Sequence, residues 1–394
     1  MKFVIMMFIL LMFFSSAGAE EKKYQLTQAT YEGISKVQNL LDKNNYEEAE
    51  TILLELEKSR DIRKKLDKAY IRFYIGYFYT LVKEEQKALK YFKDAISYKA
   101  LAPSQVSNAY LNIIQILMES EKYKQALFYT DELIKEALEP KSEYYVTKAN
   151  IEMILKAYDK VIVDINRAIK IDKNAKPSWL KIKYYSFYML KDYKNAINML
   201  KELITLDPKN KEYWLQLSSL YSVTDKFDNA LASLDISNIA HLGLSEKELL
   251  RLISWLQYNS IPYKAALIMQ ENINLHNIQS TEENLNLLGD LYYEARSYDK
   301  AIHWYKNSAK LNRSSKTYFK IAKIYANQRK YHDVIENIKL SLSVGENKEN
   351  GFMYLMLGKA YYELLNTVDA KKSFYKAKEY KKSKKMAESW LNYL

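Results

Sequence analysis

No cysteine occurs among the 394 residues, which excludes disulfides, thiolate metal sites, thiol catalysis and a lipid-modified N-terminal Cys. Glycine (8) and proline (5) are scarce. A protein made of β-hairpins needs more turn chemistry than that, so the composition points to helices joined by short loops. Histidine is nearly absent as well: His241, His276, His303 and His332 stand far apart. His303 and His332 read as two surface residues rather than a metal pair. There is no H-E-x-x-H, phosphate loop or nucleophile elbow, so no catalytic residue, metal or cofactor is expected. Beyond Phe14 no apolar run is long enough to span a bilayer.

What is present begins with a distinct N-terminal unit. Lys2 precedes an apolar run from Phe3 to Phe14, followed by Ser15-Ser16-Ala17-Gly18-Ala19. A charged start, a short apolar core and an A-x-A exit read as a secretory signal peptide over 1–19, cut after Ala19. The mature chain is then expected in a bacterial export compartment. The formal charge is +12, from 60 Lys and Arg against 48 Asp and Glu. Because the lysines are spread along the chain, no nucleic-acid partner is expected. The basic run Lys381, Lys382, Lys384 and Lys385 reads as a solvated helix face, with at most peripheral membrane contact.

The rest of the chain repeats itself. Small residues recur at Ala49, Ala88, Ala126, Val161, Ala196, Ala230, Ala266, Ala301, Val334 and Ala370, with spacings of 39, 38, 35, 35, 34, 36, 35, 33 and 36. Most have an aromatic (or a Thr) three residues before and an apolar residue four after. Twelve residues before each stands a second key position, small in Gly76, Ala149, Gly289, Ala322 and Gly358. Small side chains there let two antiparallel helices approach closely. Val37, Ile114, Tyr184, Ser218 and Ser254 occupy it elsewhere, and Tyr184 is expected to push its helices apart. The pattern resembles tetratricopeptide (TPR) repeats. The expected fold is all-α, a superhelical solenoid of about ten helix-turn-helix repeats over 20–384. The repeats fall at about 30–63, 69–102, 107–140, 142–175, 177–210, 211–244, 247–280, 282–315, 315–348 and 351–384. A capping helix over 385–394 would cover the open end with Met386, Trp390 and Leu394. Pro262 reads as part of a turn before Tyr263. No long linker is visible, so the array is left undivided.

In such an array the first helix of each repeat lines the inner curve. Residues one step off the buried stripe give a candidate partner-binding groove: Phe73, Tyr77, Leu111, Lys181, Tyr185, Tyr188, Arg251, Trp255, Tyr258, Asp290, Tyr293, Phe319, Lys323, Leu355, Lys359 and Tyr362. Aromatics with a few charges suit an extended peptide, because Tyr and Trp combine large contact area with a polar tip. Of the Lys, Asn and Arg set that grips a C-terminal carboxylate in some TPRs, only Asn150 stands in the right frame, with no Lys or Arg companions nearby, so that reading is disfavoured.

Four stretches carry a narrower likeness: KEYWLQLSSLY (211–221), IPYKAALIMQENI (261–273), ENLNLLGDLYYEARSYDKAIHWYKNSAKL (283–311) and KKMAESWLNYL (384–394). With them the chain resembles exported TPR proteins of Gram-negative bacteria that are associated with TonB–ExbB–ExbD energy-transduction systems. The resemblance implies a non-enzymatic periplasmic scaffold, accessory to TonB-dependent transport. Its partners would be TonB-, ExbB- or ExbD-type components or outer-membrane receptor segments. A rival reading is an envelope-assembly or polysaccharide-export factor that holds peptide or glycan in the groove.

Overall fold

The computed structural model describes residues 24–345 and 348–394, and the expected signal peptide lies outside them. The described residues form twenty-one α-helices and no strand. They fall into two compact units, the first ending at Leu206 and the second running Asp207–Leu394. The first holds α1 (Gln28–Asp42), α2 (Tyr46–Lys58), α3 (Lys65–Leu81), α4 (Glu85–Ser97), α5 (Pro103–Glu119), α6 (Tyr123–Glu136), α7 (Ser142–Ile154), α8 (Tyr158–Asp172), α9 (Pro177–Met189) and α10 (Tyr193–Leu206). The second holds α11 (Lys211–Val223), α12 (Phe227–Ile239), α13 (Glu246–Tyr258), α14 (Pro262–Asn274), α15 (Glu282–Glu294), α16 (Tyr298–Leu311), α17 (Ser315–Asn327), α18 (Tyr331–Ser343), α19 (Asn350–Glu363), α20 (Thr367–Lys378) and α21 (Lys384–Tyr393). Each unit is five antiparallel hairpins stacked in chain order, with α21 added after the tenth.

One turn closes every hairpin. Two residues past the end of the first helix stands a residue at positive φ: Asn44, Lys83, Glu121, Lys156, Lys191, Asp225, Ser260, Arg296, Arg329 or Leu365. The next backbone N–H reaches back to a carbonyl five residues earlier, as from Ser297 to Tyr292 (2.8 Å) and from Asn366 to Tyr361 (2.9 Å). This is the Schellman closure, which satisfies carbonyls the helix end would otherwise leave unpaired. The second helix opens two residues past the positive-φ position. Where that junction is Asn45, Asp192 or Asn366, its side chain also caps the second helix.

Packing across each hairpin is a trade of volumes. A Cβ added at Gly289 would lie 2.5 Å from the Tyr305 ring, at Gly358 2.6 Å from Phe374, and at Gly76 3.0 Å from Phe92. Each ring sits four residues after the small residue of the second helix. Glycine therefore makes room for an aromatic partner. Tyr184 reverses the arrangement: the residue at the ring position of its hairpin is Leu200, and Tyr184 stays half-buried.

The structure corrects the register of the seventh hairpin. Counted from the positive-φ residue Ser260, its key small residue is Ala265, not Ala266, and its partner on the first helix is the fully buried Ile253. Ser254 is exposed. Pro262 is the first residue of α14, where its missing N–H costs nothing. The capping helix is corrected as well. Ala387 turns inward and is fully buried, while Met386 is 45% exposed. Trp390 does cover the end, stacking on Phe374 with centroids 5.4 Å apart.

Two apolar cores carry most of the packing, one from Val37 to Ile151 and one from Leu234 to Ala360. The fourth hairpin adds buried charge beside an apolar cluster of Ala149, Val161, Ile165 and Ala168. Glu152 on α7 and Asp164 on α8 are 1% and 2% exposed, with the Lys148 ammonium 3.5 Å from Asp164 and 2.8 Å from Asp131 on α6. Arg167 pairs with Asp164 at 2.9 Å.

Candidate functional site

The candidate residues lie on first helices, and the structure separates those that face outward from those that pack. In the first unit Phe73 is half-buried, edge-on to Phe92 at 5.6 Å and to Tyr74 at 5.7 Å. Tyr77 is half-buried too; burial, and then the nearby Asp42 carboxylate, push its hydroxyl pKa up. On α9, Tyr185 and Tyr188 are each 45% exposed, and Lys181 is exposed. Tyr185 meets Tyr158 of the preceding hairpin at 6.1 Å, and Tyr188 meets Tyr193 at 6.2 Å. The result is a run of tyrosines across two repeats.

In the second unit the outcome is mixed. Arg251 lies 5.6 Å from the Trp255 ring, and Trp255 is half-buried against the core. The one-residue shift in that hairpin explains why Trp255 turns off the outward stripe. Tyr258, by contrast, is 88% exposed. Tyr293 is open and tilted against Tyr298 at 5.8 Å. Phe319 and Leu355 are corrected: at 3% and 5% exposed they belong to the core and present no contact surface.

The charged members are better placed than the apolar ones. Lys323 holds its ammonium 4.1 Å over the Phe319 ring, and Lys359 holds its own 5.7 Å from Trp390. Asp290, at the same place on α15, accepts from the Tyr305 hydroxyl (2.5 Å) and from Lys320 (2.6 and 2.8 Å). Burial and the Asp290 carboxylate hold the Tyr305 hydroxyl far above its ordinary pKa. Lys320 is absent from the sequence-based set, because its reach back to the previous repeat has no local signal.

Tyr362 carries a feature that the sequence reading missed. With Ser389, Trp390 and Tyr393 it lines an open pocket of about 310 Å³. The Tyr362 and Tyr393 hydroxyls are 3.4 Å apart. The three rings meet at 59°, 69° and 87°, as the walls of a corner do. Sequence reasoning assigned Trp390 to the cap alone, although Tyr393 three residues on shares its helix face. A smaller cavity of about 110 Å³ lies among the ends of α12 and α14, lined by Asn238, His241, Glu271, Asn272 and Asn277 among others. Among the described residues no three His, Cys, Asp or Glu side chains are grouped to hold a metal, and no helix is long and apolar enough to cross a membrane.

Residues 188–210 and 282–315 match the family model of the tetratricopeptide repeat. The fold is a TPR array. Solved structures similar to it include MamA, at 20% identity over 43% of this chain and 90% of that one, with a TM-score of 0.35. YrrB, described as a TPR protein with an unusual peptide-binding site, is 15% identical over 44% and 86%, with a TM-score of 0.36. A TPR protein from Parabacteroides merdae is 14% identical over 64% and 97%, with a TM-score of 0.32. No curated protein matches the chain. A TPR array is a scaffold for protein or peptide contacts, which repeat stacking displays along the first helices.

Proposed function

We propose that this chain is a non-enzymatic periplasmic scaffold that binds extended protein segments on the outward faces of its first helices, as an accessory of TonB-dependent transport. The observation that carries the binding role is α9. It is rich in aromatic and aliphatic residues, yet buries only Trp179, Leu180 and Ser186. Tyr185, Tyr188, Met189 and Leu190 are left open at 41–46% exposure, and an exposed apolar face of this kind marks an interaction site. The periplasmic location is supported by Lys2, the Phe3–Phe14 run and the Ala17-Gly18-Ala19 exit. The transport role is supported by the likeness of 211–221, 261–273, 283–311 and 384–394 to exported proteins of those systems.

The test is crosslinking in cells that are using their uptake systems. A TonB- or ExbD-like protein should be recovered, and recovery of neither would count against the transport role. For the binding role, Tyr185→Ala with Tyr188→Ala should weaken capture of the recovered segment by more than about 1 kcal/mol. Because both rings are exposed, the melting temperature should hold. Full affinity in the double variant would remove α9 from the site.

A further inference from the structure

Basic residues occur all along this chain, but most of the net surplus lies near its end. Residues 315–394 carry sixteen Lys and Arg against eight Asp and Glu, a surplus of eight within a total of +12. Lys323 and Lys359 belong to this segment and occupy one structural position, one residue after the key small residues Ala322 and Gly358. The same position one repeat earlier holds Asp290, which Lys320 neutralises. Neither Lys323 nor Lys359 has a carboxylate at ion-pair distance among the described residues; each rests against an aromatic ring instead. Lys359 is one helical turn from Tyr362, so the second ammonium borders the three-ringed pocket.

We infer that the outward face of α17, α19 and α21 binds an extended peptide in which acidic side chains flank an aromatic residue. The acids would meet Lys323 and Lys359, and the ring would enter the pocket of Tyr362, Trp390 and Tyr393. This rests on the reading that first helices bind peptide, and it names the class of peptide. Two unpaired ammonium groups within a basic surplus repel a basic segment and attract an acidic one. Rings meeting edge to face offer both faces and edges to an incoming ring. At about 310 Å³ the pocket is at the small end of ligand sites and suits one side chain. Single-stranded nucleic acid is instead held by several stacking platforms along a groove, so a peptide is the better fit.

The test uses the mature chain and three short peptides blocked at both ends, so that side chains supply the only anions. One has Glu residues around a single Phe, one replaces the Phe by Ala, and one replaces each Glu by Lys. The first should bind, more weakly as salt is raised, and the other two should bind at least about tenfold less well. Lys323→Gln with Lys359→Gln, and separately Tyr393→Ala, should each cost about tenfold with an unchanged circular-dichroism melt. Tyr393 is 70% exposed, so its removal should not disturb folding. The inference is overturned if either variant binds within about twofold of the parent, or if the Phe-free peptide binds equally well. Tighter binding of an oligonucleotide or of phosphatidylglycerol vesicles at the same residues would overturn it too. If the acidic peptide fails while a crosslinked segment still binds at Tyr185 and Tyr188, this inference falls alone. If no polypeptide binds anywhere, the broader reading falls with it.

Discussion

At the scale of single residues, the fold depends on glycines that make room for rings. Tyr305 is 1% exposed and its hydroxyl is tied to Asp290, so it cannot swing aside for a larger neighbour. Gly289→Leu is expected to lose about 1–3 kcal/mol by overpacking, read as a lower urea midpoint; an unchanged midpoint would mean that the ring relocates. Glu152 gives a second expectation. Burial, and then the Asp164 carboxylate beside it, push its pKa from 4.5 up to about 7. The folded chain therefore binds this proton more tightly than the unfolded chain does. Stability should fall as pH rises from about 4.5 to about 7 and then level off as far as this group is concerned. Glu152→Gln should flatten that slope, raising the melting temperature more at pH 8 than at pH 5 by calorimetry. Equal shifts at both pH values would assign the slope to another group.

At the scale of the element, the hairpin and its turn repeat almost without variation. None of the ten positive-φ residues is glycine, although a left-handed conformation costs an L-residue about 1–2 kcal/mol. Leu365 is 88% exposed there, so it gains little from packing. Leu365→Gly is expected to stabilise the last hairpin by about 0.5–1 kcal/mol, seen as a higher melting temperature; a lower one would show that unfolded-state entropy dominates. Period, hairpin count and capping helix were legible in the sequence because they rest on local spacing. The seventh register was not, since Pro262-Tyr263-Lys264-Ala265-Ala266 offers two alanines and two plausible openings. The outward stripe was legible only in part. Tyr185, Tyr188 and Tyr258 do face solvent, whereas Phe319 and Leu355 are buried, an outcome that spacing alone does not fix. The pocket at Tyr362 joins α19 to α21, a contact between distant segments that leaves no periodic trace.

At the scale of the whole molecule, each unit owns an apolar core: one contains Phe92 and Ile113, the other Tyr292 and Tyr305. Chains ending at Leu206 or beginning at Asp207 should therefore each melt cooperatively with helical circular dichroism. A half that stays unfolded would show that its core depends on the other. Charge is distributed unequally as well, with most of the surplus after residue 315. The uniform turn has one more consequence, for where foreign sequence can be spliced in. A hairpin tip of three residues, with its bonds committed, has no slack for an epitope tag. The joints between hairpins vary in length, from three residues after Leu311 to seven after Asn274. Those joints, and not the tips, are where a reporter peptide should be tolerated.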